Sequence, residues 1–334
     1  MRLGLMTGYW MMGPQDPIDL VCLAEDLGYD SVWTAEAYGS DAISPLCWFG
    51  ARTKKIKLGT AVLQISARTP AMAAMTAMTI DHLSNGRFIL GIGVSGPQVV
   101  EGWYGQPFPR PMERTREFVA LVRKMLRREG PVEFKGNHYQ LPLDGGTGLG
   151  KPLKLITTPL RSDIPIYVGA EGPKNVKQTT EIADGWLPMF FSPDRPELYA
   201  ESLAQLKPGF DIACTVQVVV GDDLDTARMP VKWMVAFYMC GMGARGKNFH
   251  ANVIGRLGYG EAMKRVDELF WSGRRDEAAA AVPDELVDEI ALVGPPERIR
   301  ERLGAWEKSP VTTIMVGPSG DPETALRTMA EALL

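Results

Sequence analysis

The stretch Phe88-Ile89-Leu90-Gly91-Ile92-Gly93-Val94-Ser95-Gly96 is an apolar run that ends in the glycine spacing GxGxxG. In a dinucleotide-binding Rossmann domain, a helix opens at the last glycine, and an acidic residue ends the next strand about 20 residues later. Here glycines and three prolines follow within residues 97–109, which disfavours a regular helix. Residues 114–128 have a helical pattern where the second strand should come. The motif is therefore predicted to be a glycine-rich loop at the C-terminal end of a strand, which argues against a nicotinamide-binding Rossmann enzyme.

Segments with strand and helix patterns alternate along the rest of the chain. Strands are predicted at residues 2–6, 31–34, 56–63, 88–94, 166–168, 186–189, 213–220 and 312–316. Helices are predicted at residues 16–27, 45–52, 71–83, 114–128, 174–182, 195–206 and 322–333.

This alternation indicates a parallel sheet with helical crossovers. A closed TIM (β/α)8 barrel suits one domain spanning residues 1–334. It would carry an insertion after the fourth strand, at roughly 130–164, and an extra helical region at roughly 226–303. A doubly wound open sheet is the alternative fold.

Composition restricts the function. The 334 residues carry a formal net charge of −4 without a basic stripe, so nucleic-acid binding is not expected. The chain shows neither a signal peptide nor an apolar run long enough to cross a bilayer, so a cytoplasmic protein without membrane association is expected. Four cysteines without paired spacing and only three histidines favour neither a disulfide nor a metal site. We therefore expect the chemistry to come from a bound organic cofactor.

The loops that follow the strands form the active site of a barrel. Two of these loops, Ser95-Gly96 and Gly169-Ala170-Glu171-Gly172, could present backbone amides to a phosphate, helped by the helix that starts near Pro173. These glycines could equally serve only as turn residues.

Glu36 is the only carboxylate at the tip of the second strand, and it is our candidate catalytic residue. It could act as an acid, a base or a hydrogen-bond acceptor. It could equally be a solvated loop residue or the ion-pair partner of an arginine such as Arg68. Tyr9, Trp10 and Trp103 are expected to line a substrate pocket, although aromatic residues more often belong to a core. His82 precedes a strand on the opposite side of the barrel, where residues usually serve stability.

Several short motifs occur in an order and spacing that resemble a known superfamily. They are Leu3-Gly4-Leu5, Gly28-Tyr29-Asp30-Ser31-Val32-Trp33, Lys57-Leu58-Gly59-Thr60, Arg68-Thr69-Pro70-Ala71, Asp81-His82-Leu83-Ser84-Asn85-Gly86-Arg87-Phe88, Pro165-Ile166-Tyr167-Val168-Gly169-Ala170 and Ile182-Ala183-Asp184-Gly185-Trp186. Together they span about the first two thirds of the chain. The sequence resembles the luciferase-like flavin and deazaflavin oxidoreductases, and within them the coenzyme F420-dependent group.

The resemblance implies a TIM barrel with an insertion after the fourth strand, assembled as a homodimer. It also implies a hydride transfer between coenzyme F420 and a small organic substrate of unknown identity. The deazaflavin ring would pack on a non-prolyl cis peptide, which carries over to Ala61-Val62, close to Gln64. The cofactor's phosphate would lie against Ser95, Gly96, Gly169, Ala170 and Gly172.

The sequence departs from this group at two positions. Several deazaflavin enzymes have an Asp-His pair after the second strand, where this chain has Glu36-Ala37, and some have a glutamate where Gly96-Pro97 stands. The usual acid and base are therefore missing. Two alternatives stay open: an FMN-dependent luciferase-like monooxygenase, and an F420-binding protein without turnover.

Overall fold

A computed structural model describes residues 1–11, 13–243 and 248–334 of the chain. In its first half, strands and helices alternate closely. The elements are β1 (Arg2–Gly8), α1 (Ile18–Asp26), β2 (Ser31–Thr34), α2 (Ser44–Arg52), β3 (Lys57–Thr60), β4 (Leu63–Gln64), α3 (Pro70–Leu83), β5 (Phe88–Gly93), α4 (Pro97–Gly102) and α5 (Pro111–Arg127).

The second half begins with an insertion that carries a short antiparallel hairpin and then resumes the alternation. The elements are β6 (Phe134–Lys135), β7 (Gln140–Leu141), β8 (Ile166–Gly169), α6 (Pro173–Ile182), β9 (Gly185–Leu187), α7 (Ala200–Leu203), β10 (Asp211–Val220), α8 (Leu224–Ala236), α9 (Phe249–Ile254), α10 (Gly260–Trp271), α11 (Arg275–Ala280), α12 (Asp284–Ile290), β11 (Leu292–Gly294), α13 (Pro296–Lys308), β12 (Thr313–Ser319) and α14 (Pro322–Leu333).

The strands close into a barrel. In the described part of the chain, eight parallel strands follow the order β1, β2, β3, β5, β8, β9, β10 and β12, with β4 pairing with β5 and β11 lying outside β10. Closure occurs at both neighbours of the last strand: Arg2 pairs with Thr313, and Ala213 pairs with Thr313 from the other side. Strand β10 also pairs with β9. The TIM barrel is confirmed, and the open doubly wound sheet is wrong.

Two apolar layers stabilise the barrel. Between strands and helices lies a continuous core that includes Leu3, Leu5 and Val216, all fully buried. Burying such a side chain contributes about 1.5–3 kcal/mol. A smaller cluster, made of Trp33, Ile89, Tyr167, Leu187, Ala213 and Met315, fills the inside of the barrel. This inner cluster fills the barrel below its mouth, so a ligand bound at the mouth would lie above these side chains.

The structure corrects three local predictions. A short helix, α4, does begin at Pro97, because a proline fits the first turn and the six-residue helix ends before the later prolines. The third strand is not continuous over residues 56–63, because a cis peptide at Ala61-Val62 separates β3 from β4. The helical region 226–303 contains a strand, β11, that pairs with β10.

The glycine motif lies in the barrel wall. Gly91 and Gly93 belong to β5, which pairs with β3, β4 and β8. A Cβ on Gly91 would fall on the Thr60 carbonyl oxygen, so this glycine permits close contact between neighbouring strands. The motif therefore serves strand packing rather than nucleotide recognition of the Rossmann type.

Candidate active site

A cavity of about 460 Å³ opens at the C-terminal ends of the strands. Parallel strands end on one rim, so Gln64, Gly93, Gly169 and Leu187, each the last residue of its strand, come together in its lining. Residues from 238–243 and 248–256 also line the cavity. The cavity is the natural place for a ligand in this fold.

The structure places all the predicted cofactor-binding residues in the lining of this one cavity. They are Ala61, Val62, Gln64, Ser95, Gly96, Gly169, Ala170 and Gly172. Glu36 and Tyr9 line it as well. Gly93 and Val94 of the glycine motif line the cavity beside Ser95 and Gly96.

The Ala61-Val62 peptide is cis, and the residues that face the Val62 side chain from β5 and β8 are glycines. A Cβ on Gly93 would lie 2.5 Å from Val62 Cγ2, and a Cβ on Gly169 would lie 3.1 Å from Val62 Cγ1. The two glycines therefore let the Val62 side chain lie against β5 and β8. We call the apolar surface that the Val62 side chain forms against Gly93 and Gly169 the apolar shelf of the cavity.

Glu36 is almost completely buried and is held by three donors. Its Oε1 accepts hydrogen bonds from the Gln64 backbone N–H at 2.8 Å and from Arg68 Nη1 at 2.6 Å. Its Oε2 accepts from the Ala42 backbone N–H at 3.0 Å. A buried carboxylate with these partners fixes the loop that carries Gln64. Of the roles left open by the sequence, the contacts favour acceptor and ion-pair partner of Arg68.

One end of the cavity is built around the N-terminus of α6. Gly172 caps this helix, and Lys174 and Asn175 in its first turn line the cavity. Arg256 lies beside them and donates from Nη2 to the Glu171 carbonyl oxygen at 2.7 Å. The helix dipole, the lysine and the arginine together favour an anion.

The cavity also concentrates polar atoms that lack partners. Among the described residues, ten buried side-chain nitrogen or oxygen atoms have no hydrogen bond, and six of them belong to cavity residues. These six are Gln64 Oε1, Gln98 Oε1, Glu171 Oε2, Asn175 Oδ1, His250 Nδ1 and Arg256 Nε. Buried polar groups are normally satisfied, so their concentration here indicates a polar ligand.

Two predicted pocket residues lie elsewhere. Trp10 is 40% exposed and Trp103 is 67% exposed, and neither lines the cavity. Trp103 follows the short α4, which turns its side chain outward into solvent. The expectation that these two tryptophans line the substrate pocket is corrected, and Tyr9 alone of the three is in place.

The comparison with protein-family models identifies the family of this chain. The family model described as luciferase-like monooxygenase matches residues 2–313. The chain belongs to the luciferase-like monooxygenase family. The matched range contains every motif on which the resemblance rested, and it contains the residues that line the cavity except Met315.

Named relatives of this luciferase-like chain include deazaflavin enzymes. It is 53% identical over 328 residues to a Mycobacterium tuberculosis protein provisionally named a coenzyme F420-dependent oxidoreductase, covering 95% of this chain and 94% of the relative. It is 29% identical to the 5,10-methylenetetrahydromethanopterin reductase of Archaeoglobus fulgidus, covering 91% and 89%. The solved coenzyme F420-dependent tetrahydromethanopterin reductase of Methanopyrus kandleri has a TM-score of 0.79, with 24% identity and coverage of 99% and 97%. That structural likeness shows the fold alone.

This luciferase-like site contains residues that sequence reasoning missed. His250, Tyr238 and Arg256 line the cavity, but they come from the region 226–303, where helix periodicity does not show which faces meet the barrel mouth. His82 instead contacts the Thr158 carbonyl oxygen in the insertion, at 3.0 Å. Across residues 1–11, 13–243 and 248–334, no three His, Cys, Asp or Glu side chains are grouped to hold a metal ion, and no helix is long and apolar enough to cross a membrane.

Proposed function

We propose that this protein is a coenzyme F420-dependent oxidoreductase that moves a hydride between the deazaflavin and an organic substrate at the barrel mouth. The observation that carries the proposal is the cavity itself. It joins the apolar shelf to a cationic end, where Lys174, Arg256 and the N-terminus of α6 accompany one carboxylate, Glu171. The 53% identical relative, provisionally named an F420-dependent oxidoreductase, supports it. The 29% identical reductase supports the same reaction class.

The residues of the shelf suit a flat ring. The Val62 side chain offers an apolar surface, and the missing side chains of Gly93 and Gly169 keep that surface accessible. Gln64 donates from Nε2 to the Glu36 carbonyl oxygen at 2.9 Å, which leaves its buried Oε1 free to accept. A deazaflavin presents a ring N–H between two carbonyl groups, and Gln64 Oε1 would satisfy such a donor.

The cationic end suits the cofactor's tail, which is a phosphodiester followed by glutamates. Arg256 Nε is buried without a partner, and Lys174 stands in the first turn of α6. Both residues would hold the phosphate together with the amides after Gly172. The predicted phosphate-binding loops thus gain two side chains of the appropriate charge.

When bound, the deazaflavin supplies the hydride chemistry. The chain's own residues orient the ring and exclude water, through the shelf on one side and apolar residues such as Leu187 and Met315 below. Burial, and then the neighbouring Tyr238 phenol, raise the pKa of Tyr9 well above its ordinary value. Tyr9 therefore stays protonated at neutral pH and can donate a hydrogen bond to a ligand.

An FMN-dependent monooxygenase is the second candidate, because the description of the matching family names that activity. A titration separates the two. Purified protein is titrated with F420 and with FMN while ring fluorescence is followed. We expect F420 to bind at least tenfold more tightly, since Arg256 and Lys174 match its longer anionic tail. Tighter binding of FMN would overturn the proposal, and F420 binding without reduction of any member of a substrate panel would favour the binding protein without turnover.

A further inference from the structure

A histidine and a carboxylate from different parts of the chain meet inside the cavity. His250 is carried by α9 and lines the cavity, and its Nδ1 lies 2.5 Å from Glu171 Oε1. Glu171 belongs to the loop between β8 and α6, the same loop that supplies Gly169 and Gly172 to the cofactor side. The histidine–carboxylate pair therefore lines the same cavity as the residues proposed to hold the cofactor.

The imidazole is held firmly in one orientation. The rings of Tyr238 and Phe190 meet it edge to face, with centroids 5.1 and 5.9 Å away and interplanar angles of 83° and 89°. The His250 side chain is only 21% exposed. Aromatic contacts of this geometry are favourable and directional. They leave the ring little freedom to move away from Glu171.

The two nitrogens of the imidazole have different surroundings. Nδ1 faces the carboxylate, at a distance suited to an ion pair although without the alignment of an ideal hydrogen bond. The contact of His250 with Glu171 is made through Nδ1, Nε2 makes no hydrogen bond to another described residue, and the side chain lines the cavity. An imidazole supported by a carboxylate on one side and free on the other is the usual arrangement of a general acid or base.

We propose that His250 exchanges the proton that accompanies hydride transfer, and that Glu171 is the positioning residue that supports it. The substrate is then an uncharged, mainly apolar compound with a polarised double bond, because Tyr9, Met189, Tyr238 and Phe249 form the surrounding wall. This inference rests on the proposed function. It fills the place left by the missing Asp-His pair, here Glu36-Ala37, with residues from a different part of the barrel.

When bound, the reduced deazaflavin would supply a hydride and would itself be oxidised by two electrons. The hydride would form a C–H bond at one atom of the substrate double bond, while the π electron pair moves to the other atom. That atom takes the proton from His250 Nε2, and the imidazolium becomes neutral imidazole. The imidazole regains a proton from water, and Glu171 stabilises the charged form. The oxidation direction reverses each transfer.

Charged and titratable groups from three elements lie beside this pair. They are Arg256 after α9, the Tyr238 phenol, and the Tyr199 phenol, which donates to the Glu171 carbonyl oxygen at 3.1 Å. Burial raises the pKa of both phenols, so both are uncharged near neutral pH. Glu171 is then the charged group whose removal should most change how the His250 ring is held.

The first test is an NMR titration of 15N-histidine-labelled protein, with and without F420. The chain has three histidines, so His82→Asn and His138→Asn assign the signals. We expect the neutral His250 ring to carry its proton on Nδ1, which faces Glu171, and Glu171→Gln to change the His250 15N signals, because the carboxylate beside Nδ1 is lost. Glu113→Gln is the matched control, because Glu113 lies 3.5 Å from His138 in a similar pair away from the cavity. A His250 signal unchanged by Glu171→Gln, or a neutral ring protonated on Nε2, would overturn the proposal.

The second test measures single-turnover reduction of cyclohex-2-en-1-one and other uncharged carbonyl probes by protein loaded with reduced F420. His250→Asn should slow hydride transfer about 100-fold or more, as expected for loss of a general acid, with the Kd for F420 within twofold of wild type. Glu171→Gln should shift the pH profile, and Glu171→Asp should restore part of the rate. Wild-type protein that does not bind F420 would refute the proposed function itself. Binding with equal rates in wild type and His250→Asn would refute only this inference. If no probe is reduced, the NMR titration decides the question.

Discussion

Replacing Glu36 by glutamine tests whether this buried carboxylate holds the site together. Its two oxygens accept three hydrogen bonds, from the Gln64 N–H, Arg68 and the Ala42 N–H. In Glu36→Gln the amide oxygen can serve Gln64 and Arg68, but its NH2 group then faces the Ala42 N–H. Leaving that buried donor unsatisfied costs about 1–3 kcal/mol, and weakening the charge-assisted bond to Arg68 costs about 1 kcal/mol more. We expect the free energy of unfolding to fall by about 2–4 kcal/mol.

The assay is urea unfolding followed by fluorescence, with Glu323→Gln as the matched control. Glu323 forms an ion pair with Arg327 in which both side chains are more than half exposed, so its loss should change stability little. F420 affinity should also fall in Glu36→Gln, because the carboxylate fixes the loop that carries Gln64. Equal stability of the two variants would refute this reasoning. Lost turnover with unchanged stability and unchanged F420 affinity would show that Glu36 is instead an acid or a base.

Three further predictions follow from contacts at single residues. Gly93→Ala should destabilise the protein by about 1–3 kcal/mol, because the new Cβ would lie 2.5 Å from the nearest side chain, whereas Gly102→Ala meets nothing within 4 Å and should melt like wild type. Arg256→Met should weaken F420 binding at least tenfold in the fluorescence titration, and an unchanged Kd would contradict its place beside the phosphate. At pH 8 a disulfide reagent should label the exposed Cys47 but not Cys214, since burial raises the pKa of the Cys214 thiol well above its ordinary value; rapid labelling of both in the folded protein would contradict the structure.

The order of the barrel elements could be predicted because each strand and helix has its own hydrophobic period. Parallel strands end on one rim, so the loops after them had to form the site. That rule alone predicted that Ser95-Gly96 and residues 169–172 lie at the same rim, and the structure places them in the same cavity. The position of the cis peptide at Ala61-Val62 came from the family resemblance and not from composition.

Other features depend on tertiary contacts that no local pattern contains. Trp103 has the residue type of a pocket wall, but the direction of its side chain is set by α4, a helix that the nearby prolines concealed. His250 and Arg256 lie about 80 residues from Glu171 in sequence and meet it only because α9 and the turn after it cover the mouth. The sequence did identify Glu36 as a carboxylate at a strand tip, but its three hydrogen-bond donors could be found only in the structure.

A crystal structure of the protein with F420 bound tests the central claim most directly. The account predicts that the deazaflavin ring lies on the Val62 side of the Ala61-Val62 peptide, with its ring N–H directed to Gln64 Oε1. It predicts the phosphate within hydrogen-bonding distance of Arg256 or Lys174 at the N-terminus of α6. A ring bound away from Val62, or a tail directed away from Arg256, would contradict it.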